Sequence, residues 1–137
     1  MKLIAFIAPI PAMMFPHGTH NGYVAVPPEH PLYGKDMFDD AMDALDVHGG
    51  ITLSDAVIMP SEDNGIKIDP QYIGKRHPLL KQAQYLTEEK NIPDDWWILG
   101  FDTCHCGDNE MIWNRPNVVS ETIHLKEQLE ELENSKQ

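Results

Sequence analysis

The sequence has few basic residues relative to its acidic ones. Only 10 Lys and Arg side chains accompany 22 Asp and Glu side chains, which gives a formal net charge of -12 at pH 7. A charge of this sign opposes broad binding to duplex nucleic acid or to an anionic lipid surface. It leaves open one class of partner, because a small acidic protein can occupy the basic groove of a host protein.

Cysteines and long apolar runs are also scarce. Cys104 and Cys106 are the two cysteines, and a spacing of one residue suits a structural disulfide poorly, so we expect free thiols in a reducing compartment. No apolar stretch approaches the roughly 20 residues that a helix needs to cross a bilayer. Pro9 and Pro11 interrupt the apolar start, which favours a first strand at residues 2–8 over a secretory signal. We therefore expect a cytoplasmic protein with no membrane partner.

The length of 137 residues is enough for one packed core and predicts a single domain over residues 1–137, with residues 134–137 frayed. Three apolar segments predict strands. Residues 22–26 end at Pro27 and are expected at a sheet edge, and residues 96–101 are expected at the centre of the sheet. Residues 47–57 form the third predicted strand, with a bulge or a close backbone approach at Gly49 and Gly50. Residues 60–74 predict a surface loop or a hairpin.

Apolar residues at helical spacing predict three helices: a brief one opening at Asp36, one over residues 79–90, and an amphipathic one over residues 118–132 capped by Asn117 or Ser120. The expected fold class is therefore α+β, a small and mostly antiparallel sheet with the C-terminal amphipathic helix packed on it.

Two groups of polar residues stand where a predicted strand meets a loop. One is His48 with Gly49 and Gly50, and the other lies in the segment FDTCHCGD. Imidazoles and carboxylates at strand ends can converge to bind a divalent metal, to act as acid and base, or to hydrogen-bond a polar ligand. The bland alternative is that they cap turns and bond to nearby carbonyl groups.

The candidate ligand-binding residues include one compact basic cluster as a phosphate partner. The full set is His48, Gly49, Gly50, Asp102, His105, Gly107, Asp108, Lys75 and Arg76. A metal, if one binds, would be held by His48, Asp102, His105 and Asp108. That spacing matches no dedicated zinc template, and the sequence lacks the second Cys pair that a zinc ribbon needs.

Four segments together resemble a family of small phage and prophage proteins: GYVAVPPEHPLYG, VHGGITLS, WWILGFDTCHCGD and the Glu- and Leu-rich C-terminal helix. The resemblance covers most of the chain from Gly22 onward and carries over His48, Gly49, Gly50, Asp102, His105, Gly107 and Asp108. Cys106 departs from it, because the family has small residues such as Ala there. The resemblance implies a phage context, hence the host cytoplasm, and by analogy a counter-defence role.

Three functions follow as hypotheses. The first is a non-catalytic protein that needs no cofactor and sequesters a small polar ligand, such as a nucleotide-derived immune signal, with a homodimer as one way to close the pocket. The second is a metal-dependent hydrolase of a phosphodiester or nucleotide. The third is an acidic inhibitor of a host protein, in which the His and Asp residues are structural.

Overall fold

A computed structural model describes residues 2–63 and 65–135. Five strands form one antiparallel sheet: β1 (Ile4–Pro9), β2 (His20–Val26), β3 (Leu53–Ala56), β6 (Gln84–Tyr85) and β7 (Trp97–Phe101). Their order is β3-β7-β2-β1-β6. The helix α1 (Arg115–Ser135) packs on β1 and β2. The predicted α+β class, with a C-terminal helix on an antiparallel sheet, is thus confirmed.

Both faces of the sheet are covered. Alternate residues of β1, among them Ala5 and Ile7, face α1 and pack with its Leu125 and Leu129. Ile4 and Phe6 point to the other face, where they pack with residues from the loops. A strand buried on both faces reads as a continuous apolar run, which explains why β1 shows no alternation in the sequence.

The helix approaches the sheet closely at Gly22. A Cβ atom at this position would overlap the Thr122 hydroxyl and the ring of Phe101. Thr122 is fully buried and satisfies its hydroxyl by donating to the Val118 carbonyl at 2.7 Å. Gly22 therefore allows α1 to pack closely on β2.

Two predictions about the sheet are wrong. The segment expected at an edge is β2, the middle strand, which pairs with β1 on one side and β7 on the other. The expected helix over residues 79–90 is a 3-10 helix, Pro78–Gln82, followed by the edge strand β6. Pairing of Gln84 and Tyr85 with β1 gives the backbone partners that a helix would have supplied internally.

The other boundaries shift by smaller amounts. The brief helix expected from Asp36 is a 3-10 helix, Asp40–Ala44. The strand expected from residue 47 begins only at Leu53. The loop at residues 60–74 contains the hairpin of β4 (Glu62–Asp63) and β5 (Ile66–Lys67).

The N-terminal end of α1 is capped by neither residue named from the sequence. The side chain of Asn114, just before the helix, accepts a hydrogen bond from the Asn117 N–H at 3.0 Å. Asn134 and Ser135 are helical, and the predicted fraying of residues 136 and 137 lies outside the described residues. Over residues 2–63 and 65–135, no helix combines the length and the apolar character needed to span a membrane.

Candidate functional site

The site forms where β7 ends and the segment before β3 approaches it. β3 and β7 pair in antiparallel orientation, with Leu53 opposite Gly100. The Thr52 N–H donates to the Gly100 carbonyl at 2.9 Å. The beginning of β3 therefore lies beside the end of β7. This arrangement brings residues 48–50 next to the loop of residues 102–108, which are more than fifty positions apart in the chain.

Three side chains meet there: His48, Asp108 and His105, called the His-Asp-His cluster below. His48 Nε2 lies 3.0 Å from both carboxylate oxygens of Asp108. Asp108 Oδ2 accepts the His105 N–H at 2.8 Å and lies 3.3 Å from His105 Nδ1. One buried carboxylate is thus held between two half-buried imidazoles.

The local electrostatics keep Asp108 ionised. Burial raises the pKa of this carboxyl group, but hydrogen bonds from the His48 side chain and the His105 backbone, with the charge of His48, outweigh it, so the net shift of the pKa is downward. Because an ionised carboxylate only accepts hydrogen bonds, His48 Nε2 must carry the proton between them.

Residues around the cluster hold His48 in place. The indole of Trp113 packs on the His48 ring with the ring centroids 4.2 Å apart. Glu121 Oε2, on α1, accepts the backbone N–H of His48 at 3.0 Å. The two imidazoles meet edge to face, with centroids 5.3 Å apart.

Gly49 lets the two histidines come this close. Its φ is +70°, a left-handed conformation that L side chains rarely adopt, and a Cβ atom there would overlap the His105 ring. The close backbone approach predicted at the diglycine is therefore present. Its form is the turn closed by the Gly50 N–H on the Val47 carbonyl at 2.9 Å rather than a strand bulge.

Asp102 and the cysteines stand beside the cluster. Asp102 Oδ1 accepts the Cys104 N–H at 3.0 Å and lies 3.4 Å from His105 Nδ1. Burial, together with the charges of Asp102 and Asp108, raises the pKa of the Cys104 thiol. Cys104 and Cys106 are both free, and the raised pKa of Cys104 is the opposite of what a reactive thiolate needs.

A pocket of about 590 Å³ opens next to the cluster and is called the ligand pocket here. His105, Gly107 and Asp108 line one side, and Phe15 and Pro16 from the β1–β2 loop line the other. This size suits a small organic molecule.

Comparisons of the chain with protein-family models, with curated proteins and with solved structures found no match. The likeness to small phage proteins therefore remains a prediction from the sequence motifs.

The structure brings together most of the residues that the sequence singled out. His48, Gly49, Gly50, Asp102, His105, Gly107 and Asp108 lie in or beside the cluster. One ligand atom from each of His48, His105 and Asp108 lies within 4.8 Å of the other two, which is compatible with a shared metal ion. Asp102, the fourth ligand expected from the sequence, is not part of that group.

Lys75 and Arg76 are not at this site. The Met59 N–H donates to the Lys75 carbonyl, and Arg76 forms a β-bridge with Ile58. Ile58 and Met59 follow the C-terminal end of β3, where Ala56 pairs with Trp97. The length of β7, about 13 Å, separates that end from the cluster. Arg76 Nη1 also donates to Asp94 Oδ1 at 2.6 Å and to the Ile92 carbonyl at 3.0 Å. The expected phosphate partners therefore belong to another surface.

Sequence reasoning missed two participants. One is Trp113, whose indole packs on His48. The other is Glu121, which the sequence does not single out. In an acidic amphipathic helix, a Glu that contacts another segment cannot be distinguished from a Glu that faces solvent. Only the docking of α1 places it against His48.

Proposed function

We propose that this protein binds a small polar ligand in the ligand pocket through a divalent metal ion held by His48, His105 and Asp108. The observation that carries the proposal is the approach of three ligand atoms, each within 4.8 Å of the others, at the wall of a pocket. Two imidazoles and one carboxylate are a common donor set for zinc and for iron(II), and they leave coordination positions for a ligand.

The spacing of the donors needs little adjustment. Ligand atoms about 2.0–2.2 Å from a tetrahedral zinc ion are about 3.3–3.6 Å from one another. His48 Nε2 and His105 Nδ1 already lie 3.0 and 3.3 Å from oxygens of Asp108. A shared ion would require the two imidazole rings to turn so that their lone pairs point to one position.

The charge distribution also favours a metal. A nucleotide-derived ligand, the class suggested by the phage resemblance, needs positive charge near its phosphates. Lys75 and Arg76 do not reach this site, and the chain carries a net charge of -12. A divalent ion at the cluster supplies that charge, and the lowered pKa of Asp108 keeps one ligand ionised at neutral pH.

Hydrolysis is the second candidate, and one observation favours it: His105 and Asp108 contribute both to the cluster and to the lining of the ligand pocket. A bound divalent ion lowers the pKa of a coordinated water so that it attacks a phosphoryl or acyl group near neutral pH. Within this chain, the raised pKa of Cys104 makes the neighbouring thiol a poor alternative nucleophile.

Metal binding is tested by native mass spectrometry and calorimetry with Zn²⁺ and Mn²⁺ after removal of metal by a chelator. We expect one ion per chain in the wild type and loss of tight binding in His48→Gln. His77→Gln is the matched control, because His77 Nε2 lies 3.1 Å from Asp55 Oδ2 in a similar His-Asp pair away from the cluster. Equal binding by wild type and His48→Gln would contradict the proposal.

The ligand is sought by incubating wild type with cyclic nucleotides and ADP-ribose, with and without the ion. Retention of an intact ligand only with the ion supports binding, whereas a product that stops forming with chelator supports hydrolysis. Retention without any ion would favour the metal-free binding protein. If no ligand is retained or changed, the acidic inhibitor of a host protein becomes the better hypothesis.

A further inference from the structure

We infer that the ligand of this site has an apolar body attached to its metal-binding head group. The inference rests on the proposed metal site and adds the chemical class of its ligand. It comes from a second cavity, of about 700 Å³, that adjoins the ligand pocket and is called the apolar groove here. Phe15, Pro16 and Asn109 line both cavities, so they form one continuous surface.

Large apolar side chains are unusually exposed in the groove. Met14 is fully exposed, Met111 is 89% exposed and Phe15 is 52% exposed. They come from two different segments, the β1–β2 loop and the loop before α1, which face each other across the groove. Exposed apolar surface of this kind usually marks a binding site, and methionine side chains adapt to ligands of irregular shape.

The charges of the lining fit the same ligand class. Among the described residues that line the two cavities, none is Lys or Arg, and the acidic ones are Asp108 and Glu110. A ligand with several phosphates would therefore meet no lysine or arginine in either cavity. A single anionic or chelating head with a hydrocarbon or aromatic body would place its head at the cluster and its body against Met14, Phe15 and Met111.

The test compares two probes with the same head group on zinc-loaded protein, acetohydroxamate and octanohydroxamate, by isothermal titration calorimetry. Each methylene that the groove buries strengthens binding about fourfold, so we expect octanohydroxamate to bind at least about tenfold more tightly. Met14→Ser should reduce this difference while it leaves acetohydroxamate binding unchanged, because Met14 lines the apolar groove but not the ligand pocket. Phe38→Ser is the control, because Phe38 is 81% exposed and lines neither cavity.

The outcomes separate this inference from the proposed function. If zinc and acetohydroxamate bind but the longer chain gives no gain, the groove inference is wrong and the metal site stands. If zinc does not bind, both fail. If Met14→Ser instead converts a dimer to a monomer in analytical ultracentrifugation, the groove is an interface between two copies of the chain, and the inference is overturned.

Discussion

Asp108→Asn should destabilise the fold measurably, even without a metal. The Asp108 carboxylate is buried and receives His48 Nε2 and the His105 N–H at 3.0 and 2.8 Å. Asn keeps one acceptor oxygen and replaces the other with an NH₂ group, which cannot accept a hydrogen bond from the remaining donor. A hydrogen bond to a charged group contributes about 1.5–3 kcal/mol, and the exposed edges of the two imidazoles let water replace part of it. We expect a loss of about 2 kcal/mol, or about 7 °C in Tm for a chain of this length.

The assay is urea denaturation in the presence of a chelator, followed by tryptophan fluorescence, which Trp113 should report because it packs on His48. Asp94→Asn is the control: Asp94 accepts from Arg76 at 2.6 Å, but its side chain is 73% exposed, so the cost should stay below about 0.5 kcal/mol. A loss equally small in Asp108→Asn would refute the conclusion that the cluster is a closely coupled unit.

The pH dependence of the stability of wild type and Asp108→Asn tests the direction of the Asp108 pKa shift. The folded-state pKa of Asp108 is lowered, so the unfolded chain binds the proton more readily, and this group stabilises the fold above its unfolded pKa of about 3.9. That stabilisation is lost as the pH falls through the lower folded pKa. The difference in free energy of unfolding between wild type and Asp108→Asn should therefore narrow below about pH 4.

Two further predictions use other positions. Gly49→Ala should cost about 2 kcal/mol or more, because its Cβ atom would overlap the His105 ring, whereas Gly34→Ala, at φ +75° with open space around it, should cost only about 1 kcal/mol. A comparison of Tm values checks this pair. Burial lowers the pKa of His30, which lies between the Leu129 carbonyl and the Leu32 N–H, so the unfolded state takes up the proton first and wild-type stability should fall from pH 7 to pH 5. His30→Gln should show a smaller fall in urea denaturation, and an equal fall would contradict the assignment.

The amphipathic stripe of α1 and the apolar strands were predictable because their patterns report burial directly. Val118, Thr122, Leu125 and Leu129, the buried residues of α1, follow the expected spacing of four and three. The helix expected at residues 79–90 failed for the opposite reason. Leu79 and Leu80 are apolar because they pack on the face of the sheet opposite α1. Pairing of Gln84 and Tyr85 with β1 overrides the local helical preference of this segment.

The candidate site was predictable in its residue types but not in its geometry. Glycines beside His48 and the polar segment after Phe101 signalled two strand ends, and antiparallel pairing of β3 with β7 joins them. Nothing in the sequence states which strands are neighbours. The same pairing that brings His48 to Asp108 places Lys75 and Arg76 at the opposite end of β3, away from the cluster.

Metal binding and the hydrogen bonds of the cluster compete for the same atoms. His48 Nε2 donates its proton to Asp108 in the structure, but as a metal ligand the same nitrogen must offer its lone pair, so the proton must leave or move to Nδ1. The His105 N–H bond to Asp108 uses a backbone donor and holds the carboxylate in place in either state. Zinc should therefore bind more weakly as the pH falls, and it should stabilise wild type with increasing concentration but leave Asp108→Asn unchanged. A thermal-shift titration at two pH values measures both effects, and equal stabilisation of the two proteins would place the ion elsewhere.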